Sequence, residues 1–163
     1  MTIIANHIQA YQFNRTKTLG LVDKLEQDGN IDALGWRPGA GRAHIAWQLM
    51  HIGVTEEIFA TDRLDPSRAG SFPELWPRFR GGSTPDDNIP SIQEIRTVLQ
   101  TGRAHLLETL ELYDDSRLQE IPPSLKERGL TVIDVLHILS WHESHHQGQS
   151  HLTYNLFRAQ KAE

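Results

Sequence analysis

Apolar residues recur at three- and four-residue steps in four separate stretches of this chain, and nowhere do they alternate as a half-buried strand requires. The first stretch spans about Thr2 to Gln27, with Ile4, Ile8, Tyr11, Leu19, Val22 and Leu25 in phase, and stops at Asp28–Asn30. The second begins near Arg42, after "RPGAGR", carries Ile45, Leu49, Ile52 and Phe59, and ends at "LDPS", Leu64–Ser67. The third opens at Ser91, which has capping-box spacing to Glu94, and continues through Val98, Leu106, Leu110 and Leu112. The fourth follows Thr131 and Asp134, a weaker start signal, and runs to about Phe157. There is no internal repeat. The pattern predicts an all-α fold, a four-helix bundle formed as one domain over residues 1–163.

The connection from Arg63 to Ile89 departs from this simple plan. At about 27 residues it is long against the 2–8 typical between bundle helices. A crossover that lets the second and third helices run parallel would need such a length, and so would a lid. Its segment "FPELWPRFRGGSTPDDN" places Trp76, Arg78 and Arg80 where they could close over an anionic substrate, or simply cover the end of the bundle.

Composition removes several function classes. A formal charge of -5 and the lack of any basic block argue against a nucleic-acid partner. No apolar run approaches the roughly 18 residues of a membrane span, and the first residues lack the pattern of a signal peptide. A cytoplasmic protein acting on a small molecule is the expectation. With no cysteine, the chain has neither disulfides nor thiolate ligands, and any thiol in its chemistry must come from a cosubstrate.

The stretch "HESHHQGQSHL" holds four of the nine histidines. On a helix, residues four apart share a face, so His142 and His146 point the same way. At about 100° per residue, Val135, Ile138, Leu139, Gln149, Thr153 and Leu156 share that side, which is the apolar, inward one. His137 and His151 fall on the polar side, and His145 at the edge. A third ligand at the same depth is His51, midway along the second helix; the rival, His44, lies seven residues earlier, about 10 Å along the axis. Inward histidines are ordinarily hydrogen-bonded core residues, but three converging from two helices could satisfy one another only through shared protons or an ion. His142–His146 also matches H-E-x-x-H literally. The zinc proteases that use it place the motif under a sheet, and no strands are expected here, so the spacing is read as metal-binding and not as a protease signature. Glu143 sits off the ligand face. Gln149, a turn beyond His146, is placed to orient a bound water or to hydrogen-bond in the core.

Taken together, "WRPGAGRAHIAWQLMH" (Trp36–His51), "HESHHQGQ" in the last helix and four helices in 163 residues resemble the DinB/YfiT-like family of metalloenzymes over essentially the whole chain. The resemblance implies a four-helix bundle with a long crossover between its second and third helices. It also implies a metal site built from one histidine of the second helix and the H-x-x-x-H pair of the last, here His51, His142 and His146. Relatives with assigned activities include thiol-dependent transferases and isomerases that use mycothiol or bacillithiol, and homodimers are frequent. The resulting expectation is a metal-dependent transferase or hydrolase. In it a divalent ion, with zinc and nickel the first candidates, activates a low-molecular-weight thiol or water against a small electrophile. The competing readings are a non-enzymatic metal- or small-molecule-binding bundle with a stress role, and a bundle whose histidines merely pack.

Overall fold

The computed structural model describes residues 1–162. Four long helices carry the fold: α1 (Ile3–Gln27), α2 (Ile45–Ile58), α4 (Ile92–Leu110) and α5 (Val132–Lys161), with a single turn, α3 (Trp76–Phe79), inside the long connection. There is no strand among the described residues, so the all-α expectation holds. Among the described residues no helix is long and apolar enough to cross a membrane.

The starts are set by side chains that take up orphan amide hydrogens. Thr2 accepts from Ala5 N, and Ser91 and Glu94 close the expected capping box. Thr131 and Asp134 close a second one, so the start that looked weak in sequence is as complete as the first. The N-cap of α2 is His44, whose Nδ1 accepts from Trp47 N at 3.0 Å. Beyond Ile58, α2 widens into a π-helical turn, Phe59–Leu64, that brings Phe59 and Arg63 into a cavity wall.

Contacts along the helices fix their directions. Gly53, Ala60 and Leu64 of the α2 rod meet Gly102, Thr109 and Tyr113 in rising order, so α2 and α4 run parallel. Tyr11, Arg15 and Asp28 likewise meet Leu136, Glu143 and Tyr154, so α1 and α5 are parallel. His51 meets His142 while Gln48 meets His146, which makes α2 and α5 antiparallel. The long connection is therefore the crossover that the parallel α2/α4 pair demands. Its closest helix contact needs glycine: a Cβ on Gly53 would lie 2.7 Å from the Val98 carbonyl oxygen, and one on Gly102 would overlap the Gly53 carbonyl.

The crossover is fastened down. Glu57, buried in α2, accepts from Ser71 N at 2.6 Å, Phe72 N at 3.2 Å and Trp76 Nε1 at 2.7 Å. Arg78 pairs with Asp86 through two 2.9 Å hydrogen bonds.

At the centre of the bundle each long helix contributes one buried charge: Arg15, Glu56, Arg103 and Glu143. Arg15 reaches Glu143 at 2.7 Å and Glu56 at 2.8 Å, and Arg103 reaches both glutamates at 2.5 Å. Thr18 adds a hydroxyl to Glu143 at 2.8 Å, and Arg15 also donates to the Leu99 carbonyl. Burial opposes the Arg15 charge, yet Glu56 and Glu143 outweigh it and hold that pKa above its usual value. Removing one member strands the rest without compensation in a dry interior. Glu143→Ala is expected to cost about 3–5 kcal/mol, read from urea denaturation; a change within 1 kcal/mol, roughly the effect of an exposed pair, would show that the network carries little.

Candidate metal centre

α2 and α5 pass at the level where His51 and His142 face each other. Their Nε2 atoms lie 2.9 Å apart. His146, one turn on, completes a cluster in which one nitrogen from each ring lies within 4.8 Å of the others. Ligand nitrogens on a tetrahedral ion with bonds of about 2.0–2.1 Å are separated by about 3.3 Å, inside the range these side chains span. The three-histidine site could hold a metal ion.

The hydrogen bonds behind the rings decide which nitrogens are free. His51 Nδ1 is 2.5 Å from the Phe79 carbonyl, which can only accept, so Nδ1 carries the hydrogen and Nε2 keeps its lone pair. His146 Nδ1 donates to Gln48 Oε1, again leaving Nε2 free. With both of those lone pairs committed inward, His142 donates its Nε2 hydrogen to His51 when no ion intervenes. Orienting partners of this kind are what ligating histidines use to fix tautomer and ring direction. The Trp47 indole stacks on the His51 ring at 4.6 Å between centroids and is held by its own hydrogen bond to the Arg78 carbonyl.

All three imidazoles are neutral near pH 7. Burial pushes His51 below its usual value. Burial, reinforced by His51 and His145, pushes His142 down to about 3. Burial with His142, His51 and His145 does the same to His146, also about 3. Neutral imidazole is the metal-ligating form.

A cavity of about 610 Å³ opens against this cluster. His51, His142 and Thr55 line its polar wall, Ile58, Phe59, Pro77 and Ile138 its apolar wall, and Arg63, Arg80 and Arg128 are placed around it. Gly81 faces His51, with a built Cβ 4.0 Å from the ring. Among the described residues no carboxylate lines the cavity.

The remaining site expectations divide. Arg80 lies on this cavity. Trp76 does not: its indole is spent on Glu57 on another side of α2, and Arg78 pairs with Asp86 and lines a different hollow beside α4. Gln149 is exposed and bonds His145 Nε2 at 2.9 Å, and Leu156 is also exposed. Both were expected inward. Past His146, α5 leaves α2 and turns Tyr154 and Phe157 toward Asn30 and Trp36 of the α1–α2 connection, so its buried face shifts. His44 is no ligand in this arrangement, because its second nitrogen meets the Asp86 carbonyl at 2.8 Å. His137 and His151 are exposed as expected.

Gln48 escaped the sequence reading, although it sits three residues before His51 and so on the same helix face. Phe79 acts through its backbone, and Arg128 lies far away in sequence; neither leaves a local signal. His105, 2.8 Å from Ser71 Oγ, is no activated pair: its Nδ1 accepts from Arg68 at 3.2 Å, so Nε2 carries a hydrogen and cannot take the one on Ser71.

Two outcomes follow from this geometry. Gln48→Ala should weaken metal binding about 10–100-fold with the helical circular dichroism unchanged, measured by chelator competition. In the metal-free protein, His142 and His146 take up protons on unfolding wherever the pH lies between about 3 and the usual 6.5. Stability is therefore full above 6.5 and falls as the pH drops, by up to about 1.4 kcal/mol per pH unit for each. Urea midpoints at pH 7, 6 and 5 should decline less steeply in a His142→Leu/His146→Leu variant.

The sequence model of the DinB superfamily matches residues 10–150. No curated protein and no solved structure matches the chain significantly. The matched span includes α2, the crossover and α5 through His146, and the chain belongs to the DinB superfamily.

Proposed function

We propose that this protein is a metal-dependent enzyme of the thiol-transferase or hydrolase type. The observation that carries the reading is a cluster of three neutral imidazoles, two of them oriented by Phe79 and Gln48, of which His51 and His142 stand at the wall of a cavity of about 610 Å³. A site meant only to brace the fold would be enclosed on all sides. When bound, a divalent ion such as zinc or nickel would supply Lewis acidity, lowering the pKa of a thiol or water or polarising a carbonyl.

The protein's own groups narrow the nucleophile. Among the described residues no carboxylate faces the cavity, Glu56 and Glu143 are committed to arginines, and the three histidines are all turned toward the ion position. Nothing there is placed to act as a general base. A nucleophile whose pKa is already near 8–9 suits such a site better than one needing strong assistance, which supports an external thiol over water. Thr55 Oγ1, 3.4 Å from His51 Nδ1, adds a hydroxyl to the polar wall. The apolar wall of Ile58, Phe59 and Ile138 keeps water from surrounding the reacting groups.

Metal content tests this reading. Untagged wild-type protein should retain about one equivalent of a transition metal by mass spectrometry, and His51→Ala and His142→Ala should lose it while keeping their helical circular dichroism. Wild type that takes up neither zinc nor nickel would rule the reading out.

A further inference from the structure

Three arginines from three separate parts of the chain line the cavity that reaches His51 and His142. Arg63 comes from the π-helical end of α2, Arg80 from the turn after α3, and Arg128 from the connection before α5. Only Arg63 has a carboxylate partner, its neighbour Asp62 at 3.2 Å; among the described residues Arg80 and Arg128 have none. In a chain of formal charge -5, whose other arginines are mostly paired, this concentration is unusual. Forked guanidiniums bind planar or tetrahedral oxyanions by paired hydrogen bonds, and low-dielectric walls focus their field into a cleft.

We infer that the cavity is a binding site for a small organic anion: a carboxylate or phosphate group held by Arg63, Arg80 and Arg128, an apolar body against Ile58 and Ile138, and the reacting end toward His51 and His142. The glycine pair Gly81–Gly82 keeps the path between the two ends open. Gly82 has φ +84, which an L side chain rarely adopts, and a side chain at Gly81 would project toward His51. The substrate class rests on the proposed function, but the arginine site itself does not need the ion.

The test uses full-length protein in metal-free and zinc-loaded forms, titrated calorimetrically with glutarate, inorganic phosphate and, as an uncharged control, glutaramide. Wild type should bind glutarate or phosphate but not glutaramide, and the tighter of the two anions tells carboxylate from phosphate. An Arg80→Gln/Arg128→Gln variant, altered only at exposed positions, should bind at least about ten-fold more weakly with unchanged circular dichroism and zinc content. Equal binding by this variant, or no binding of either anion by wild type in both forms, overturns the inference. Arginine-dependent binding in a protein that takes up no zinc supports the anion site and removes the metal reading instead. Zinc uptake without anion binding does the reverse.

Discussion

The buried lattice of Arg15, Glu56, Arg103 and Glu143 is the constraint on which the rest of the bundle depends. Each long helix supplies one charge, and each charge finds its ion-pair partners only on other helices. Hydrophobic packing alone tolerates sliding by a turn; four buried charges do not, since a slip would leave ions unpaired where water cannot reach them. The lattice thus sets axial register. Glu143 follows His142 directly, so when its side chain turns toward α1 and α4 the preceding residue is turned about 100° away, toward α2. Glu56 lies five residues after His51 on α2. Once the glutamates share their two arginines, the histidines are brought to one level.

The ligand cluster then inherits rigidity from both sides. Gln48 holds His146 from within α2, and Phe79 holds His51 from the crossover. This gives the long connection a purpose beyond linking parallel helices. Glu57 anchors its start, Arg78 and Asp86 brace its middle, and α3 delivers one carbonyl to one imidazole nitrogen. The same segment carries Arg80 and the glycines to the cavity, so a single fastening determines ring orientation and access together.

What could be read from the residues, and what could not, follows from the range of the forces involved. His51, His142 and His146 were legible because helical phase and depth are local properties, and both survive whatever the loops do. Helix starts were legible for the same reason: Ser91 and Thr131 cap through residues three positions on. Gln149 and Leu156 misled because α5 changes partner halfway along its 30 residues, and phase extrapolated from the His142 end cannot register that change. Trp76 and Arg78 misled because composition does not tell which way a loop turns its side chains. The four core charges resemble solvated ones in isolation. Arg15 does fall four residues after buried Tyr11 and seven before buried Val22, which is a hint of burial, but its partners come from three other helices.

The two polar clusters divide the electrostatic work. The core lattice has formal charges that sum to zero, and it ties up Glu56 and Glu143 in hydrogen bonds to arginine. That leaves three neutral imidazoles with no carboxylate beside them and a cavity whose charged lining is entirely cationic. Had Glu143 faced the cavity, it would have competed for the ion and repelled an anionic ligand; turned a third of a revolution away, it stabilises the fold without altering the sign of the site. An interior that is charged yet balanced can therefore coexist, one residue away along α5, with a cleft lined by three arginines of which only Arg63 has a carboxylate partner. The separation rests on the helical offset between His142 and Glu143, which lets adjacent residues serve opposite sides of one helix.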